Sequence, residues 1–148
     1  MSTMKRSFKA VLGVTLLEIM LVLAIAAMII VMSIRYYQSA SLNQKIAATM
    51  NNVTGIVAAV ESYLAATGTL QNLNAGVIQP YLPGGVMPSS GWGGAMTIAA
   101  GGANAYTITV PSVPTLGCTQ LRSLLIQNTK FAPVTCVAPS GLTILVTE

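Results

Sequence analysis

The 148-residue sequence has no histidine and only three acidic side chains, so the groups that most often move protons or hold metals are nearly missing. Glu18 lies inside an apolar run, so a two-carboxylate mechanism would need Glu61 and Glu148 to meet. With no histidine and two cysteines, a zinc site has too few ligands, and a calcium cage would lack a charged core. Gly101-Gly102 has no lysine or helix start after it, so it reads as a turn and not a phosphate cradle. The composition therefore predicts no metal, no cofactor and no enzymatic activity. Glu61 reads as a decoration of the polar side of a helix.

Charge is scarce as well. Charged residues make up 7% of the chain, against about 25% in ordinary soluble domains. The net charge of +4 comes largely from Lys5, Arg6 and Lys9, which all precede the apolar run. From residue 14 onward, Arg35, Lys45, Arg122 and Lys130 face Glu18, Glu61 and Glu148, which is close to neutrality. No basic stripe is left for nucleic acid, and no nucleic-acid partner is expected.

What the chain does have is the stretch GVTLLEIMLVLAIAAMII, residues 13 to 30. Between residues 14 and 34 only Thr15, Glu18 and Ser33 are polar. As a helix these 21 residues would span about 31 Å, close to one hydrocarbon core. Arg35, Tyr36 and Tyr37 close the run as a membrane boundary favours, and Lys5, Arg6 and Lys9 should hold the N-terminus in the cytoplasm. A plain single-span anchor fits this pattern. So does a secretory signal cut near Ala24-Ile25-Ala26. Both leave Glu18 as an accident, although a carboxylate in a span costs at least about 2.5 kcal/mol. Cleavage between Gly13 and Val14 gives the acid a purpose. The new α-amine of Val14 would lie four residues from Glu18, and the two charges could pair within or between copies in low dielectric.

A short basic leader followed by Gly13-Val14-Thr15-Leu16-Leu17-Glu18 resembles the processing site of type IV prepilins and pseudopilins. The resemblance covers about the first 60 residues. It implies cleavage after Gly13 by a prepilin peptidase, N-methylation of Val14, and subunit docking through Glu18. It also implies assembly of many copies into a helical filament by an inner-membrane platform and its ATPase. The chain would be a single-pass protein of the bacterial inner membrane before assembly and part of an extracellular pilus afterwards.

The implied fold is α+β, a long N-terminal helix packed on a small antiparallel sheet. The leader is residues 1–13, the helix 14–66 with 14–34 in the membrane or filament core, the connecting loop 67–94, and the sheet head 95–148. Ile46, Met50, Val53, Val57, Val60 and Leu64 recur every three or four residues and form the stripe that should face the head. No proline occurs before Pro80, and Thr67-Gly68 supplies a stop. A turn of helix is predicted near Val77 to Leu82. Strands are predicted over Met96–Ala100 and Tyr106–Val110, a hairpin turning at Gly101 to Asn104, and over Val134–Val137 and Leu142–Thr147. A short helix is predicted over Gln120–Gln127 with Thr119 as its N-cap. Trp92 among its glycines reads as a packing residue of the sheet ahead of a sugar-stacking platform.

Cys118 and Cys136 are the only cysteines, and outside the inner membrane they would form a disulfide in preference to two buried thiols. WGGAMTI, the hairpin and CTQLRSLL resemble the head of type IVb pilins. Val14 in place of phenylalanine and the 13-residue leader depart from the type IVa pattern; the short chain implies trimmed outer loops relative to many type IVb subunits. The function implied is a structural pilus subunit serving adhesion, aggregation, motility or DNA uptake. The alternatives are a type II secretion pseudopilin and a minor tip pilin that binds a receptor or DNA.

Overall fold

A computed structural model describes residues 15–137 and 141–148. The leader, Gly13 and Val14 therefore lie outside the described residues, as do Lys5, Arg6 and Lys9. The fold is α+β, and the chain divides into two compact units, Met1–Ser39 and Ala40–Glu148. One helix, α1 (Leu16–Thr67, 52 residues), gives its first part to the first unit and the remainder to the second.

Within the second unit, α1 buries Ile46, Thr49, Val53, Ile56, Ala59, Val60 and Tyr63 against the sheet. The spacing is that of one helical face. This corrects the stripe expected from hydropathy. Met50, Val57 and Leu64 pack only at its margin, while Ile56 and Tyr63 lie within it. Thr49, a polar residue with 0% exposure, sits on the buried face because its hydroxyl is fully used. It donates to the Lys45 carbonyl at 2.8 Å and accepts from the Gly91 N–H at 2.9 Å. A side chain at Gly91 would run into the Lys45 backbone, its Cβ falling 2.8 Å from Cα, so glycine is what lets this loop lie on the helix. The helix ends where Gly68 adopts φ 73° and its N–H closes on the Leu64 carbonyl, a left-handed stop that glycine takes without strain.

The connecting loop is folded inward by Leu70, Leu73, Ile78 and Leu82, all buried. The turn of helix begins a little earlier than expected, as α2 (Ala75–Ile78) followed by a 3₁₀ turn (Gln79–Tyr81). Asn74 fixes that start, since its Oδ1 accepts from the Gly76 and Val77 N–H groups at 2.9 and 3.2 Å. Tyr63 and Tyr81 meet edge to face, with centroids 6.0 Å apart.

Four antiparallel strands follow: β1 (Thr97–Ala100), β2 (Ala105–Pro111), β3 (Phe131–Cys136) and β4 (Gly141–Thr147), in the order β1-β2-β4-β3. The two central strands alternate strictly. Tyr106, Ile108 and Val110 of β2 lie opposite Val146, Ile144 and Leu142 of β4, and all six are buried. Period-two patterning thus commits one face to the core. Beyond β1, the Ala100 N–H donates to the Leu73 carbonyl, and Asn74 bridges to Ala99. Strand β3 carries Pro133 and a register shift between Phe131 and Val134.

Helix α3 (Thr115–Leu125) corrects the prediction of a helix over Gln120–Gln127 capped by Thr119. It starts after Pro114, whose missing N–H costs nothing at a helix entry, and Thr119 is an interior residue whose hydroxyl donates to the Thr115 carbonyl at 2.9 Å. Cys118 is consequently held in the first turn of α3, among the core residues. Its disulfide to Cys136 joins that turn to the end of β3, with Cα atoms 6.0 Å apart.

Candidate functional site

Residues 16–34 form an apolar helical surface with almost nothing against it. Leu17 is 76% exposed, and every large hydrophobic from Leu16 to Ile34 is open. At about 1.5 Å per residue the segment is long enough, and apolar enough, to cross a membrane. Its few polar groups are handled locally. The Ser33 hydroxyl donates to the Ile29 carbonyl at 2.8 Å, a bond that hides it within the helix.

At the start of the segment Thr15 caps α1. The Glu18 N–H donates to the Thr15 carbonyl at 2.9 Å and lies 3.4 Å from its hydroxyl oxygen; the Ile19 N–H also reaches the carbonyl, at 3.2 Å. Thr15-Leu16-Leu17-Glu18 has the spacing of a capping box, a signal that reading Glu18 only as a displaced charge passes over. An acid in the first turn also opposes the positive end of the helix dipole. These contacts explain why glutamate is tolerated at this point of a helix. They leave its carboxylate exposed and without an ion-pair partner among the described residues. Arg35 stands at the other end of the segment, equally exposed and, among those residues, equally unpaired.

The head treats its charges differently. Lys130 Nζ lies 3.0 Å from Glu61 and 3.4 Å from Glu148, so Glu61, exposed on the polar side of the helix as expected, is also tied into a surface cluster. Glu61 and Glu148 do meet, but through an ammonium group that occupies both. The hydrogen bond to Glu61, then that to Glu148, pushes the Lys130 ammonium above the usual lysine range. Tyr106 is wholly buried. Burial, followed by the nearby charges of Glu148 and Glu61, drives its phenol well above the usual tyrosine range. No group of three His, Cys, Asp or Glu side chains gathers to hold a metal among the described residues. Trp92 lies half-buried against the first turn of α3 at Gly117, a packing position.

No protein-family model, curated protein or solved structure matches the chain. What stands on its own is the arrangement: a long N-terminal apolar helix, a small antiparallel sheet and a disulfide, which together are compatible with a pilin-like fold.

Proposed function

We propose that the chain is a filament-forming subunit of the type IV pilin kind, most similar to type IVb pilins, cut after Gly13 and assembled through its apolar helix. The observation that carries this reading is the surface of residues 16–34, apolar on all sides yet opened by an exposed carboxylate at Glu18. In lipid the hydrocarbon surface is satisfied and the acid is not. In a bundle of copies both are satisfied, because a liberated Val14 amine supplies a positive partner while protein replaces lipid around the side chains. The gain on assembly is packing and charge pairing, since lipid already excludes water. The role is structural and non-catalytic, with further copies of the chain, a prepilin peptidase and an inner-membrane assembly machine as partners. The finished filament stands at the cell surface.

Mass analysis of the mature chain, recovered from sheared surface filaments, tests this directly. The expected N-terminus is a methylated Val14. Recovery of a functional chain that still carries residues 1–13 would overturn the proposal. Glu18→Ala should enter the membrane normally and be missing from the sheared fraction.

A further inference from the structure

We infer that Arg35 of a second copy is the side-chain partner of Glu18, and that this pairing staggers neighbouring copies by about 25 Å along the helix axis. The inference rests on the filament reading and adds to it a specific contact.

The argument starts from scarcity. The described residues contain seven charged side chains. Glu61, Lys130 and Glu148 are bound to one another in the head. Lys45 and Arg122 are exposed and in no ion pair among the described residues, but they belong to the folded unit and lie off the apolar segment. Glu18 and Arg35 are the two charges on the apolar segment, both exposed, and among the described residues that segment is bare on every side. They are opposite in sign and mark the two ends of a single apolar surface, so the complementary surface for this helix is another copy of itself.

Geometry then fixes how two copies meet. The residues are 17 apart, about 25 Å, too far to pair within one helix. An antiparallel pair would match both charges at once, but the basic leader gives every copy the same orientation in the membrane. Parallel copies in register would set Glu18 beside Glu18, which is repulsive. Parallel copies shifted by 17 residues set Glu18 of one against Arg35 of the next. On a helical wheel the two residues point about 100° apart, so each copy uses one face toward the copy on one side and a different face toward the other. Such a contact is head-to-tail and does not close into a dimer; repeated, it extends without limit. The shift is also close to one hydrocarbon thickness. A copy displaced outward by it has brought its carboxylate from the inner part of the bilayer to the boundary, where the arginine of the following copy stands.

The test uses the full chain in cells that assemble it. Arg35→Gln should lower the yield of sheared filaments at least about tenfold, and Arg35→Lys should restore most of it. The register is read by cysteines placed one turn beyond each charge. Val22→Cys combined with Gln38→Cys should give, on oxidation of filaments, a covalent ladder of many copies, whereas Val22→Cys alone should give no dimer. Wild-type yield from Arg35→Gln would overturn the pairing. So would dimers from the single cysteine, or filaments of the double variant that give no ladder. In each of those cases filaments still form, so the subunit reading survives. Loss of wild-type filaments altogether would sink that reading instead.

Discussion

Helix α1 lives in two environments. Its first part, to Ser39, shows all its large apolar side chains to the outside, while its second part hides one face completely and leaves the rest a mixture of polar, small and marginally packed apolar residues. The backbone is the same; the side-chain pattern decides what each part can pack against. A helix that is apolar all round has no preferred side and awaits lipid or other helices. A helix with one stripe is already committed to its own sheet. Every described carboxylate side chain of the head is paired, and that of the bare segment is not. In the head, Lys130 collects two carboxylates from distant parts of the chain while Lys45 and Arg122 stay at the surface, whereas Glu18 and Arg35, at the two ends of the bare segment, have no ion-pair partner among the described residues.

Large-to-small substitutions should separate the two parts most sharply. Ile56 has 0% exposure, and Ile56→Ala should cost about 2–5 kcal/mol in a urea titration of the detergent-solubilised chain followed by Trp92 fluorescence. Ile29 is 59% exposed, and Ile29→Ala should change the same midpoint by no more than about 0.5 kcal/mol. Comparable losses would mean that Ile29 is buried in the folded chain. Next in size is the disulfide. Replacing Cys118 and Cys136 by alanine should cost about 3 kcal/mol, and reductant should lower the wild-type midpoint while leaving the variant where it is.

A smaller effect is expected at the threonine that joins loop to helix. Thr49→Val keeps the shape but strands the Gly91 N–H, so the loss should be about 1–3 kcal/mol, with faster amide exchange at Gly91. The smallest change lies on the alkaline side. The stabilisation from Lys130 is fully present below the ordinary lysine value of about 10.4 and disappears as pH rises through its raised folded value. Tyr106 acts in the same direction. Its unfolded phenol ionises from about pH 10 while the folded one stays neutral, so stability falls as pH rises beyond that point. Tyr106→Phe should flatten this alkaline limb. At neutral pH it should cost no more than about 1 kcal/mol, because the buried hydroxyl has no hydrogen-bond partner among the described residues. An unchanged alkaline limb in that variant would count against a buried neutral phenol.

Much of this molecule can be read along its chain because its main elements are built from local repetition. The alternation in Tyr106–Val110 and Leu142–Val146 marks both central strands, and the absence of proline over residues 1 to 79 foretells one long helix. Position within a repeat is harder. Hydropathy sets the stripe on α1 off by part of a turn, because Thr49 is polar and its partner, the Gly91 N–H, lies 42 residues away. Residue chemistry alone starts helix α3 too late, because Thr119 has the chemistry of a cap whereas Pro114 enters the helix by geometry alone. The Lys130 cluster could not be seen at all, since its members lie 69 and 18 residues apart and share no local signal. At the candidate site the apolar run and Glu18 were legible because they violate each other. The cap from Thr15 is equally local, but it shows only once Thr15 and Glu18 are taken together as a helix start.

The rims of the sheet matter once copies are crowded together. One rim is taken by the Leu73–Asn74 chain against Ala99–Ala100, and the other is broken by Pro133 and its uneven pairing. A strand from a neighbour therefore finds only short, interrupted rows of open amides and carbonyls to extend, which disfavours amyloid-like stacking. Order in a dense array of these molecules is then left mainly to side-chain contacts, which come apart without prying β-structure loose.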